Sequence, residues 1–124
     1  MIKPKKTVWL TGSSGFIGKH LYRELISSGY NLSCISNNLN LKDECENPHT
    51  YYLNFSSESD IKDLIKRNGC PEVFIHLGWG GMKDSTSSIH LSNNLDDAKT
   101  LIETLYSSGL EKFIFLVLPI NLKK

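Results

Sequence analysis

Residues 7 to 18 read Thr-Val-Trp-Leu-Thr-Gly-Ser-Ser-Gly-Phe-Ile-Gly. A short apolar strand runs directly into three glycines spaced three apart, and a helical pattern opens at the last of them. No other stretch of the chain limits its fold so tightly. A strand that delivers the backbone to a sharp turn needs residues without a Cβ. The helix that follows points unpaired N–H groups and a positive dipole end back at the turn. That layout suits the pyrophosphate of a dinucleotide. Gly12 makes the turn, Gly15 admits the pyrophosphate and Gly18 lets the helix pack on the strand. An ordinary glycine-rich loop lacks these flanks. A P-loop is excluded by spacing: five residues, not four, separate Gly12 from the Gly18-Lys19 pair, and His20 stands where a Ser or Thr would hold magnesium.

The 124 residues make one domain at most, long enough to bury a core. A net charge of +1 argues against nucleic acid as a partner, which would require a clustered basic face. The run Lys3-Pro4-Lys5-Lys6 reads as a solvated lead-in to the first strand. No apolar stretch reaches membrane-spanning length, the longest being the strand-sized run Phe113 to Ile120. No signal peptide is visible at the start. Cys34, Cys45 and Cys70 form no C-x-x-C pair and no zinc pattern, so no metal site is expected. Reduced thiols in a cytoplasmic protein account for them.

Beyond the glycine turn, Ile17, Leu21 and Leu25 recur every four residues with Ile26 beside them, an amphipathic helix stopped by Gly29. Asn31 to Ser36 reads as a second strand and Thr50 to Phe55 as a third, with no confident element between them. Ser57-Glu58-Ser59-Asp60 resembles a capping signal and opens a short helix carrying Ile61, Leu64 and Ile65. Val73 to Leu77 is a continuous apolar strand, the pattern of a strand buried on both faces. Leu91, Leu95, Ala98, Ile102 and Leu105 place a helix from about Ser85 to Ser108. Lys112 to Leu118 is a fifth strand. Strands alternate with helices, which predicts an α/β, Rossmann-type doubly wound parallel sheet of five strands in the order 3-2-1-4-5.

Four motifs carry a family resemblance. Thr11 to Gly18 resembles the T-G-x-x-G-x-x-G of the extended short-chain dehydrogenases/reductases, which include NAD(P)-dependent epimerases, dehydratases and reductases of nucleotide sugars. Phe74-Ile75-His76-Leu77-Gly78 is similar to their V-I-H-L-A segment after strand four. Asn94-Leu95 with Leu101-Ile102-Glu103 resembles their N-V-x-G-T-x-x-L-L-E helix. Ser108 to Phe115 is similar to their A-G-V-K-R-F-V-Y segment leading into strand five. The match runs from Thr7 to Leu116.

The resemblance implies an NAD(P) site. Gly12, Ser14, Gly15, Phe16, Ile17 and Gly18 would hold the pyrophosphate, and Asn54 and Phe55 would flank the adenine. Leu77, Gly78 and Trp79 would lie along the ribose and nicotinamide side, and Asn94 would brace strand four or a nearby water. Packing remains open for Trp79 and a plain surface role for Asn94, while His76 reads as a strand-end polar residue rather than an acid or base. Where NAD users end strand two with an Asp for the adenosine ribose, this chain has Ser36 and Asn37. The missing carboxylate removes a repulsion against a 2′-phosphate and tips the expectation slightly toward NADP over NAD.

Family members also place a Ser or Thr just after strand five and a Tyr-x-x-x-Lys on the next helix, whose Lys lowers the Tyr pKa for proton transfer. Here Val117-Leu118-Pro119 stands at the first position, and the sequence ends at Lys124 before any Tyr-x-x-x-Lys. The expectation is therefore an incomplete NAD(P)-binding Rossmann domain over residues 1–124, truncated after strand five and without its C-terminal substrate part. It would be the dinucleotide-binding half of a sugar-nucleotide epimerase, dehydratase or reductase, with no catalytic residues of its own. A nucleotide-sugar substrate belongs only to a full-length relative. The alternative is a non-catalytic module that binds or senses NAD(P).

Overall fold

The computed structural model describes residues 6–36, 49–77 and 88–115, with the backbone alone over 88–95. The elements in chain order are β1 (Thr7–Thr11), α1 (Phe16–Ser27), β2 (Asn31–Ser36), β3 (Thr50–Tyr52), α2 (Glu58–Asn68), β4 (Val73–His76), α3 (Ser88–Ser107) and β5 (Lys112–Phe115). The five strands form one sheet in the order β3-β2-β1-β4-β5, as the alternation predicts. Every pairing is parallel. The direction of winding reverses between β1, the central strand, and β4.

Side chains of a strand alternate between faces, and β1 uses this to fill two cores. Val8 and Leu10 join Leu32 and Ile75 on one face, where Leu21, Tyr22 and Leu25 of α1 pack. Trp9 joins Ile35 and Phe74 on the other, beneath Ile61 and Leu64 of α2 and Leu101 and Leu105 of α3. Phe74 sits edge-on to Trp9 at 6.2 Å and stacks on Phe113 at 5.1 Å. The sheet thus carries helices on both faces, which is what continuous apolar strands require.

Local chemistry sets the helix ends. Gly29, at φ 85, follows α1 and places its own N–H on Ile26 O and that of Tyr30 on Leu25 O. This is a Schellman closure, with Tyr30 and Leu25 in one apolar cluster. At the start of α2 the Ser57 hydroxyl accepts from Asp60 N at 3.2 Å. Glu58 and Asp60 add negative charge to its first turn. Lys6, read as a solvated lead-in, pairs with Glu111 at 2.8 Å across an exposed surface.

The structure corrects the sequence reading at several points. The third strand ends at Tyr52 rather than Phe55. Leu53 N still bonds Ser36 O, but Asn54 Oδ1 then accepts from both Ser56 N and Ser56 Oγ and curls the chain into a turn. Ile17 and Ile26, expected on the buried side of α1, are 37% and 45% exposed. Leu21, Tyr22 and Leu25 pack against the sheet and Gly18 is buried beside them, while Ile17 and Ile26, about 90° to either side of the centre of that face, stay partly exposed. β4 stops at His76, one residue short of Leu77. The expected start of the third helix near Ser85 and the expected end of the fifth strand at Leu118 lie outside the described residues.

Candidate functional site

The carboxyl ends of β1 and β4 stand side by side where the winding reverses, the place where open α/β sheets leave a crevice. Thr11, the last residue of β1, is in register with His76 of β4 and Ile35 of β2. The glycine turn therefore leaves the sheet beside Leu77 and just past Ser36.

Within the turn the three glycines answer to different demands. Gly12 sits at φ 77, a left-handed conformation that side chains disfavour. Its carbonyl accepts from Gly15 N at 3.1 Å, which closes the turn. Gly18 is buried against that turn, and a Cβ added there would stand 1.8 Å from Gly12 O and 2.7 Å from Gly12 C. Gly15 is different. It is exposed, its φ of −76 is open to any residue, and an added Cβ would meet only Gly12 O at an ordinary 3.5 Å. The fold itself needs glycine at 12 and 18 but makes no such demand at 15.

Gly15 is also the N-cap of α1, and no side chain among the described residues caps this end. No acidic residue lies in its first turn. The leading N–H groups of a helix have no partner inside it, so α1 offers donors and a positive dipole end with nothing of its own to neutralise them. α2 contrasts, since its own Ser57 and acids serve that purpose. Ser14 and Phe16 are exposed, Phe16 by 81% and edge-on to His20 at 5.2 Å. Together with the half-exposed Ile17 they line the mouth of the turn.

The other predicted site residues divide. Ser36 ends β2, half-buried, beside the turn. Asn54 is exposed, but its carboxamide oxygen is engaged by Ser56. Phe55 turns its ring into the core at 5% exposure, so it can offer a ligand only its backbone. Leu77 is half-buried and its N–H donates to Thr11 Oγ1 at 2.8 Å. Asn94 lies on α3, where only the backbone is described. Asn37, Gly78 and Trp79 lie outside the described residues.

Sequence reasoning missed one pairing. His76 Nδ1 is 2.8 Å from Thr11 Oγ1. Its ring is 3% exposed and packed among Phe55, Phe74, Phe113 and Phe115. The available signal was a Thr closing the first strand and a His closing the fourth, which a parallel register makes neighbours. Burial among these rings pulls the imidazole pKa down from 6.5 to about 4. The residue is neutral near pH 7 and supplies no acid there.

That shift has a consequence for stability. Between pH 6.5 and about 4 the unfolded chain takes a proton on His76 that the folded chain refuses. Stability is therefore highest above this window and falls as pH falls through it, by on the order of 3 kcal/mol in all. Urea titrations at pH 7.5 and 4.5 should show a loss of stability that is reduced in His76→Phe. An equal loss in both proteins would refute the assignment.

Among the described residues no group of three or more His, Cys, Asp or Glu could hold a metal ion. No helix among them is long and apolar enough to cross a membrane.

Comparison with known proteins yields consistent matches. A family model described as the NAD dependent epimerase/dehydratase family matches residues 8–117. A UDP-glucose 4-epimerase of Bacillus subtilis (strain 168) is 26% identical over 119 residues, covering 87% of this chain and 35% of that protein. The chain thus spans about a third of the length of this curated relative. Among solved structures, a UDP-glucose 4-epimerase of Thermotoga maritima with UDP-glucose superposes with a TM-score of 0.71 at 24% identity, over 88% of this chain and 37% of that one. A UDP-glucose 4-epimerase of Bifidobacterium longum in complex with NAD+ and UDP gives 0.67 at 21% identity, over 88% and 36%. These two likenesses are of fold.

Proposed function

The chain belongs to the NAD-dependent epimerase/dehydratase family, and from that premise we propose that residues 1–124 form a dinucleotide-binding domain, the cofactor half of a sugar-nucleotide epimerase, dehydratase or reductase. One observation carries the reading. Gly15 is exposed at an uncapped helix N-terminus, and no contact among the described residues requires it to be glycine. A diphosphate passing over that position supplies the missing reason, since it needs both the open Cα and the free N–H groups behind it.

The roles follow from position. The turn from Gly12 to Gly18, with Ser14, Phe16 and Ile17, receives the pyrophosphate. Ser36 and Asn37 meet the adenosine ribose. The backbone at Asn54 and Phe55 flanks the adenine, because the side chain of each is engaged elsewhere. Leu77, Gly78 and Trp79 run along the nicotinamide ribose, and Asn94 braces that segment from α3. When bound, the dinucleotide supplies hydride transfer at its nicotinamide ring; the residues of this chain bind and orient it.

The choice of dinucleotide turns on Ser36. The residue carries no negative charge to repel a 2′-phosphate, the ground for expecting NADP. The family description and the NAD+ complex of the Bifidobacterium relative favour NAD, and we take NAD as the cofactor. Calorimetric titration of NAD+ and NADP+ into the protein tests the reading, and absence of binding of either at millimolar concentration overturns it. In Ser36→Asp the new carboxylate should repel a 2′-phosphate and lower NADP+ affinity roughly tenfold, about 1.4 kcal/mol. Unchanged NADP+ affinity in that variant would show that the ribose does not reach Ser36.

A further inference from the structure

We infer that His76 is a positioning residue for the dinucleotide crevice: through its hydrogen bond to Thr11 it fixes where the glycine turn stands against the end of β4. This inference rests on the dinucleotide reading given above.

Thr11 and His76 are the last register pair of β1 and β4. Beyond them β1 leads into the glycine turn and β4 into Leu77. There the Thr11 hydroxyl works in two directions. It accepts from Leu77 N at 2.8 Å, and it lies 2.8 Å from His76 Nδ1. An imidazole whose Nδ1 carries no proton takes the hydroxyl hydrogen and leaves a lone pair facing Leu77. The hydroxyl is thereby held in an orientation that ties the end of β4 to the residue from which the glycine turn departs.

The ring is itself held. Phe115 stacks on it at 5.4 Å and 19°, and Phe55 meets it edge-on at 5.3 Å and 87°. Phe74 and Phe113 complete the surround at 5.9 and 6.1 Å. These neighbours come from β4, from β5 and from the turn after β3, so the imidazole joins two strands and a turn at the end of the sheet. None of these side chains, nor Thr11, is charged. An aliphatic or aromatic side chain would complete such a surround without the desolvation that a buried imidazole suffers. A histidine kept there has its one described polar contact with Thr11, and Thr11 adjoins Gly12. The residue is oriented toward the turn and the crevice, and the surrounding rings have no need of its nitrogens.

The test is NAD+ affinity by calorimetry, with melting temperature measured in parallel, in the full chain. His76→Phe fills the same space without the bond, and Thr11→Val removes it from the other side. Each should weaken NAD+ binding roughly tenfold, and the double variant should be no weaker than either single one. His76→Gln, whose carboxamide oxygen can accept the hydroxyl hydrogen, should recover part of the affinity whatever it does to the melting temperature. Should His76→Phe fail to fold, Thr11→Ser against Thr11→Val makes the same comparison, the serine keeping affinity and the valine losing it. A folded His76→Phe or Thr11→Val with wild-type affinity overturns the inference and leaves the dinucleotide reading standing. Affinity that merely follows melting temperature across the variants, with no recovery in His76→Gln, also overturns it. A wild-type protein that binds no NAD+ overturns the reading itself and the inference with it.

Discussion

Replacing Gly18 by alanine should unfold a large fraction of the protein at temperatures where the wild type is native. The new Cβ would stand 1.8 Å from Gly12 O, 2.7 Å from Gly12 C and 2.9 Å from Ser13 Cα. All three are backbone atoms, so no rotamer change relieves the contact. Gly12 is at φ 77 and its carbonyl is bonded to Gly15 N, so the turn cannot easily move away either. The helix must lift from β1, and with it Leu21 and Leu25 leave Val8 and Leu10. Overpacking a core with a single carbon ordinarily costs 1–3 kcal/mol; against fixed backbone the expected cost is about 3 kcal/mol or more. Domains of this size hold only 5–15 kcal/mol in all. A thermal melt should show the midpoint lowered by roughly 10 °C or more. A variant melting within about 2 °C of wild type would show that helix and turn are not in this contact.

Replacing Gly15 by valine should do the reverse, leaving the fold in place and removing dinucleotide binding. The backbone at φ −76 and ψ 174 accepts a β-branched residue, and the nearest atom to an added Cβ is Gly12 O at 3.5 Å. As a poorer N-cap than glycine, valine costs the helix on the order of 1 kcal/mol. Its branches occupy the space over the leading N–H groups of α1, where the diphosphate is proposed to sit. Loss of both the close approach and the charge-assisted bonds behind it should weaken NAD+ binding by roughly 100-fold or more, about 3 kcal/mol. Titration of the folded variant reads this directly. A valine variant that binds NAD+ as the wild type does would mean that no diphosphate crosses residue 15.

The contrast between Gly15 and Gly18 also marks how far the sequence could be read. The spacing of the glycines, the flanking strand and the alternation of elements were enough to give the sheet order, with the winding reversing between β1 and β4. Ser57 and Gly29 announced their helix ends because capping is local chemistry. The reading failed where the outcome depends on contacts that no local pattern encodes. Leu53 and Phe55 share the parity of a strand and are both buried, so nothing in the pattern signals that Asn54 bends the chain between them. Ile17 and Ile26 lie on opposite flanks of the buried face of α1, and only the packing of the helix decides how far each flank is covered. His76 lies 65 positions from Thr11 and meets it only through the register of β1 on β4. For Asn54 and Phe55, expected from the sequence to flank an adenine, the side-chain engagements with Ser56 and with the core emerge only in three dimensions.

The distribution of β1 between two cores has a further consequence. Trp9 faces α2 and α3, while Val8 and Leu10 face α1. Sliding the strand by one residue would exchange the bulkiest apolar side chain for much smaller ones on both sides at once. The layer under α1 would be overfilled and the opposite layer left with a void. Side-chain volume in the interior thereby acts as a proofreading device for the edge. Gly12 follows Leu10 by two residues, so the frame in which the turn meets the crevice is decided by the size of an indole that no ligand touches.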